Sequence, residues 1–350
     1  MKAIDFTSMP RRKKAYDGAN GNKISILYNG AQYMLKFSSR ATKNDDMSYS
    51  NSCFSEYLGC HIYNIIGLPV QETILGTYAV RGDVRTVVAC SDFTEPGIVL
   101  QDFASMKNQI IDSERNGYGT ELDDVITALH EQSAIEHGIV LERFWDMFII
   151  DALIGNWDRH NGNWGFLYNT VTDEIKLAPV YDCGSCLYQQ ADERLMSDIM
   201  SDKSKMNYRI YEIPTSALTS GGKRIKYFDF ISSLSNEDCN MALQRIVPKI
   251  NMGRIQQVIL DMPLASDIQK KFYLRMLEER KRCILDHSMA LLQKRKNNDL
   301  EAVRRNGLEL QNIKNPTAEM CVEAVKQNPE AIAFVKDVTL RETLRNVFSL

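Results

Sequence analysis

Residues 140–154, VLERFWDMFIIDALI, are apolar on nearly every side of a helix. A surface helix would show a single apolar stripe, so a segment like this must be buried all round. It therefore sets the centre of whatever the chain folds into. A polar stretch, 155–162, follows at once and reads as a loop. Two β-rich runs come next, 164–168 and 175–181, joined by a polar turn over 169–173. Two strands joined by a short turn form an antiparallel hairpin. Such a hairpin returns the chain to the loop it left.

The first 92 residues read as strands with one helix. A β-rich run over 24–28 leads into Asn29-Gly30, a dipeptide that favours a tight hairpin turn. In the following run, 32–37, Tyr33, Leu35 and Phe37 share one face, and Met34 and Lys36 the other. A helix is predicted over 52–66, stopped by Gly67 and Pro69, with Phe54, Leu58, His61 and Ile65 on its apolar stripe. Runs 73–78 and 86–90 are two further strands. From about residue 94 the pattern is mostly helical outside the 164–181 hairpin, including a strongly charged helix over 267–296.

The last fifty residues hold a repeat with a period of 22: AVRRNGLELQNIKNPTAEMCVE (302–323) aligns with AVKQNPEAIAFVKDVTLRETLR (324–345). The shared positions are Ala302/Ala324, Val303/Val325, Asn306/Asn328, Lys314/Lys336 and Thr317/Thr339. Two copies are too few for an independent solenoid. Helices docked on the main body, or the truncated start of a longer array, are expected.

The 350 residues are 44% apolar and 25% charged, enough for a core without disulfides. A net charge of −3 gives no electrostatic footprint of nucleic-acid binding. The one basic cluster, Arg11 to Lys14, reads as a solvated loop. The start carries no signal-type apolar segment, and no run approaches the roughly 18 apolar residues of a membrane span. The eight cysteines form no repeated framework. Synthesis in the cytoplasm with reduced thiols is expected, with export without an N-terminal signal as the alternative.

The chemistry concentrates in GNWDRHNGNWGFL (155–167) and APVYDCGS (178–185). Asp158 and Asn163 stand in D-x-x-x-x-N spacing, which suits phosphoryl transfer: a carboxylate beside the nucleophile and an amide oxygen for a metal. Asp182 lies 19 residues after Asn163, where the hairpin closes, and supplies a second metal oxygen. Mg²⁺ prefers one or two carboxylates together with waters and phosphate oxygens. A bare Asp-x₄-Asn match arises by chance. Here it follows a buried helix, precedes a hairpin and meets an aspartate where the hairpin returns. Upstream, Gly18, Ala19, Asn20, Gly21, Asn22 and Lys23 form a flexible loop before a strand, suited to cradling phosphate. Lys36 in an apolar strand is the cation for the phosphates, and Glu56 on the next helix is its natural partner. Arg159 and His160 either brace the loop or join the nucleotide contacts. Cys183 and Cys186 stand as C-x-x-C without a second ligand pair, so small packing residues are expected there rather than zinc or redox chemistry.

Six ordered blocks carry a resemblance: GANGNKIS (18–25), MSYSNSCFSEY (47–57), VQETILGTY (70–78), FWDMF (144–148), the 155–167 segment and DCGSCLY (182–188). Over roughly 1–297 the chain resembles the HipA-like kinase superfamily, and within it the bacterial cell-translocating kinase A group of serine/threonine kinases. The resemblance implies an α+β, two-lobed protein-kinase-like fold with ATP between a β-rich N-lobe (1–92) and a mostly helical C-lobe (93–298). A helical tail (299–350) lies outside it. It also implies Asp158 as catalytic base, Asn163 and Asp182 as Mg²⁺ ligands, and Lys36 on the ATP phosphates. The 18–23 loop would cover those phosphates, with adenine contacts from the 88–93 hinge, Cys90 and Asp92 included. Transfer to Ser or Thr of a protein substrate, with autophosphorylation, follows, in a toxin, secreted effector or regulator. HipA toxins carry an extra N-terminal subdomain and an antitoxin partner. This chain starts almost at the phosphate loop, so no antitoxin is expected, and a monomer is. The rivals are a phosphoinositide-type lipid kinase, since 158–163 also reads Asp-Arg-His-x-x-Asn, and a nucleotide-binding pseudokinase.

Overall fold

The computed structural model describes residues 3–16, 23–38, 51–111 and 116–350. Its N-terminal part is a six-stranded sheet of β1 Ile4–Asp5, β2 Arg11–Arg12, β3 Lys23–Tyr28, β4 Ala31–Phe37, β5 Thr73–Val80 and β6 Asp83–Ser91. The spatial order is β1-β5-β6-β4-β3-β2, antiparallel except for the β1–β5 pair. Asn29 and Gly30 join β3 to β4 with φ of +48° and +80°, the left-handed pair a two-residue type I′ turn demands. The alternation in β4 holds. Tyr33, Leu35 and Phe37 join Phe6, Ile26 and Val87 in an apolar layer on one face. Met34 and Lys36 face helix α1, Ser52–Ile66, on the other.

The predicted stripe of α1 is corrected. Cys53, Ser55, Glu56, Tyr57 and Cys60 are buried as well, while His61 and Ile65 are only partly so. The sheet covers one side of the helix and the helical body the other, so only a narrow strip at its C-terminal end, around Asn64, faces water. The Arg11–Lys14 cluster is not a free loop either: Arg11 and Arg12 form edge strand β2 against Ser25 and Ile26, and Lys14 pairs with Asp92 at 2.6 Å.

Helices α2 Phe103–Ile110, α3 Leu122–Glu131 and α4 His137–Ile154 open the second part. Val140 and every residue from 144 to 154 of α4 are buried. Asp146 and Asp151, the two charges in that stretch, are met by Arg245 at 2.6 Å and Arg159 at 3.0 Å. The helix stops at Gly155, φ +64°. Around it pack α5 Glu193–Ser201, α6 Lys203–Tyr211, α7 Tyr227–Ser233, α8 Glu237–Ile246, α9 Met252–Asp261 and α10 Asp267–Arg280.

The expected hairpin gains a third strand. β7 Ile98–Asp102 pairs with β8 Gly165–Asn169, which pairs with β9 Glu174–Leu177. Its one cue is the preceding Pro96-Gly97, a turn dipeptide with Gly97 at φ +86°. β9 ends at 177 rather than 181 because Pro179 has no N–H to continue a ladder. A two-residue hairpin, β10 Thr219–Ser220 and β11 Lys223–Arg224, lies further on. The charged helix predicted over 267–296 is interrupted: a π-helical turn, Lys281–Asp286, buries Cys283, Ile284 and Leu285 in succession before α11, His287–Arg305.

In the tail, α12 Ala318–Gln327 and α13 Val338–Phe348 alternate with 3-10 turns Gly307–Asn312 and Pro329–Phe334. Asn306 and Asn328 start those turns alike, each accepting from the N–H two residues on. The Thr317/Thr339 match is not structural: Thr317 caps α12, whereas Asp337 caps α13 and leaves Thr339 inside it. Among the described residues no helix is long and apolar enough to cross a membrane, and all eight cysteines are buried and free.

A Cβ on Gly165 would lie 2.2 Å from the Gln101 carbonyl oxygen, so β7 and β8 meet only because this residue has no side chain. Gly165→Ala should lower stability by about 1–3 kcal/mol. Urea titration should show an earlier midpoint with an unchanged slope; an unchanged midpoint would refute this.

Candidate active site

Lys36 stands between two carboxylates. Its Nζ lies 2.9 Å from Glu56 Oε2 and 2.9 Å from Asp182 Oδ1. Burial by itself would disfavour the ammonium. Asp182 and Glu56 together outweigh burial and hold it well above its ordinary value. In return, Lys36 draws the Asp182 carboxyl down to about 2. The Asp182 side chain is still 43% accessible, so water screens the pair in part. For a depressed carboxylate, the stabilisation is present above the unfolded value of about 4. It is lost as pH falls toward about 2, so the pair stays charged through the neutral range.

Glu56 does a second job. Its Oε1 accepts from the Cys183 backbone N–H at 3.1 Å, which ties α1 to the segment after β9. Ser55 Oγ adds a bond to the Cys186 carbonyl at 2.7 Å. Two glycines allow this closeness: a Cβ on Gly59 would lie 2.7 Å from Cys183 Cβ, and one on Gly184 would lie 2.9 Å from Glu56 Oε2. Cys183 and Cys186 fill this seam as small buried side chains.

The two ends of the Asp-x₄-Asn spacing meet. Asn163 Nδ2 donates to the Asp158 carbonyl at 2.8 Å, which curls the loop and leaves the amide oxygen as a free ligand atom. The Asp158 N–H donates to Asn156 Oδ1 at 3.1 Å, and its Oδ2 accepts from Ser185 Oγ at 3.3 Å. Burial raises the Asp158 pKa, and the nearby Asp182 charge adds to the rise.

Lys23 pairs with Lys36 directly across the β3–β4 ladder. Burial lowers the Lys23 pKa, and the facing Lys36 lowers it further. Like charges opposite one another on a sheet are costly, so this pair suits an anion bound between them. Gly18, Ala19, Asn20, Gly21 and Asn22 lie outside the described residues. Cys90 is fully buried in β6 opposite Met34 and Thr73. The Asp92 carboxylate is an internal tie, taken up by Lys14, Tyr16, Gln32 and Thr94. His160 turns inward on its own loop: Nδ1 accepts from the Gly162 N–H at 3.0 Å, and its ring meets Tyr118 at 6.1 Å, edge to face.

The model of the HipA-like C-terminal domain family matches residues 16–251, a span that includes Lys36, Glu56, Asp158, Asn163 and Asp182. The chain belongs to this HipA-like family. It is 47% identical over 295 residues to Serine/threonine-protein kinase CtkA of Helicobacter pylori strain J99, covering 83% of this chain and 90% of the relative. The crystal structure of a Helicobacter pylori proinflammatory kinase CtkA is similar with a TM-score of 0.79 at 46% identity, covering 83% of this chain and 98% of that one. The two-lobed α+β kinase-like fold expected from the sequence is the fold of this HipA-like chain.

Arg159, expected either to brace the loop or to join the nucleotide contacts, braces it, and three further positions in the HipA-like site carry weight that no sequence motif announced. Arg159 is buried. Its Nε lies 3.0 Å from Asp151, Nη1 donates to the carbonyls of Asn163, at 2.8 Å, and Tyr181, and Nη2 reaches Cys183 Sγ at 3.4 Å. Asp151, Asn156 and Ser185 complete the support. Asp151 and Asn156 flank the end of α4, where a polar residue in an apolar run was the available signal. Ser185 has none.

Arg159→Met would leave Asp151 charged, buried and without its cation, at a cost of about 3–5 kcal/mol. Arg159→Lys should recover little, because one ammonium cannot span Asp151, Asn163 and Tyr181. Denaturant titration of both variants tests this, and a midpoint near wild type for either would refute the brace.

Proposed function

We propose that this chain, a serine/threonine protein kinase by family and by its identity with a kinase of that kind, transfers the γ-phosphoryl group of ATP. In this reading Asp158 accepts the proton of a Ser or Thr hydroxyl as its oxygen bonds the γ-phosphorus and ADP departs. The observation that carries the reading is the Lys36 ammonium bridging Glu56 and Asp182, with Asp182 close enough to Asp158 for its charge to be felt there and Asn163 bonded to the Asp158 carbonyl. Lys36 and Lys23 hold the phosphates. Asp182 and the Asn163 amide oxygen fit a hard divalent cation, which completes its shell with waters and phosphate oxygens. When bound, Mg²⁺ neutralises charge building on the phosphoryl oxygens. A raised pKa makes Asp158 a stronger base than an exposed aspartate, and the bonds from Ser185 and to Asn156 fix its direction. Self-phosphorylation belongs to the same reading. The partner is a protein bearing the acceptor hydroxyl. No nucleic acid or antitoxin is called for, and one copy of the chain carries every named group.

The test is phosphate transfer from γ-labelled ATP with Mg²⁺, with and without a generic Ser/Thr substrate. Asp158→Ala should fold normally and lose roughly 10²–10⁴-fold in turnover. Normal turnover in that variant would sink the assignment of the base. Asp182→Asn should weaken Mg²⁺-dependent ATP binding, read by calorimetry. Tight ATP binding with no label on any protein would redirect the reading to a lipid acceptor.

A further inference from the structure

Trp157, one residue before Asp158, is gripped from outside its loop: Arg224 Nη2 donates to its carbonyl oxygen at 2.7 Å. Arg224 ends β11, and its neighbour Lys223 is exposed beside it. The hairpin that carries them is short but firmly held. Gly221 and Gly222, φ +57° and +75°, form its turn. Glu121 accepts both of their N–H groups, at 2.5 and 3.2 Å, and the Thr219 hydroxyl at 2.8 Å. The backbone is pinned on either side, by Thr219 N–H to the Thr120 carbonyl and Ile225 N–H to the Leu218 carbonyl.

The carboxylate nearest the hairpin is therefore committed to its turn and not to its cations. Among the described residues no carboxylate pairs with Lys223 or Arg224. Lys226, two residues on, is by contrast paired with Glu212 at 2.6 Å. Arg224 is also one of the charges acting on Asp158. The part of the loop around His160 has another character. There Tyr118 is 52% exposed, its ring meets His160, and its hydroxyl donates to Asp102 at 3.4 Å.

Resting on the reading of Asp158 as the base, we propose that Lys223 and Arg224 select protein substrates with an anionic side chain close to the acceptor Ser or Thr. A pinned backbone makes the pair a reader of position, because it limits how far the cations can follow a misplaced charge, and Arg224 is held further by its bond to Trp157. An extended chain rises about 3.3 Å per residue. Arg224 sits against the residue next to the base, which puts the anion within one to three residues of the acceptor. Asp102, bonded to Tyr118 where that ring meets His160, disfavours an anion at that part of the loop, so the preference has a side. A carboxylate and a phosphorylated residue share the chemistry, and the substrate set below tells them apart.

The experiment uses the full chain and synthetic peptides with a single Ser acceptor. The three residues on one side or the other carry Ala, Glu, phosphoserine or Lys at one position. Comparing kcat/KM, Glu peptides should exceed Ala peptides by roughly three- to tenfold on one side only, as expected for exposed ion pairs. The preference should shrink in high salt. Lys223→Glu alters a side chain that makes no hydrogen bond and should turn the order toward Lys peptides. Arg224→Lys should keep the order, and Arg224→Glu should reverse it. Phosphoserine above Glu would identify a primed substrate as the anion source; Glu at or above phosphoserine would identify a carboxylate. A flat ranking in wild type, or an order unmoved by Lys223→Glu, overturns the proposal. So does self-labelling with no peptide in the set labelled. Self-labelling from γ-labelled ATP separates the two levels: its presence beside a flat ranking removes only the anion preference, and its absence, with every peptide unlabelled, removes the kinase mechanism itself.

Discussion

The Lys36 ammonium is where three separately built parts become one. It is supplied by a strand, met by Glu56 from a helix, and met by Asp182 from the segment after a hairpin in the second half of the chain. A buried ion loses its hydration, and only good geometry with its partners offsets that loss. The contact is therefore close to all-or-none. If the sheet, α1 or the 182–186 segment shifts by an ångström or two, a charge is left without compensation. Two carboxylates around one ammonium leave an excess of negative charge on one side, while Lys23 adds positive charge on the other. The site is thus polarised before anything binds. Its cationic edge suits phosphate, and its carboxylate edge suits a divalent cation.

That polarisation needs a fixed frame, and the frame is mostly made of absent side chains and buried bonds. Gly59 and Gly184 bring α1 and the 182–186 segment closer than any Cβ would allow. Arg159 does the corresponding work beneath the loop, joining Asp151 on α4 to the backbone at Asn163 and Tyr181. The apolar helix that organises the core therefore also sets the height of Asp158, because the residue holding its loop is anchored to that helix. Stability and positioning run through the same side chains here.

What could be read in the sequence follows the reach of each interaction. The Asp158–Asn163 spacing was legible because its decisive bond spans five residues. The β4 alternation was legible because the two faces of a sheet differ in what covers them. Lys36 and Glu56 could be paired in advance, but the burial of Glu56 could not, since stripe logic assumes a broad wet face and α1 keeps only a narrow strip around Asn64. β7 escaped notice because a short, half-exposed edge strand has little apolar signal; only Pro96-Gly97 marked its start. The bonds that engage the Asp92 carboxylate leave no local mark, since one of them comes from Lys14, 78 residues away. Ser185 and Arg224 meet the Asp158 loop from 27 and 67 residues away, with no local pattern to announce them.

The tail follows a different rule from the body. Its small core of Val303, Leu310, Met320, Ala324 and Val325 is separate from the main one. Its units are joined by bonds spaced at the repeat itself: Gln327 to the Arg305 carbonyl, and Lys336 to the Lys314 carbonyl, each across 22 residues. The second bond uses a lysine that the repeat keeps, so the period is partly a record of how one unit holds the next. Gly307 belongs to the same joint, since a Cβ there would meet the Ala324 carbonyl oxygen at 2.2 Å. Thr339 shows where repetition stops short of structure, for the second helix starts two residues early and takes Asp337 as its cap. The spacing of the unit-to-unit bonds is kept while the cap within the unit is free to slide. In a stack of short units the joint between neighbours, rather than the interior of each, is what sequence must preserve.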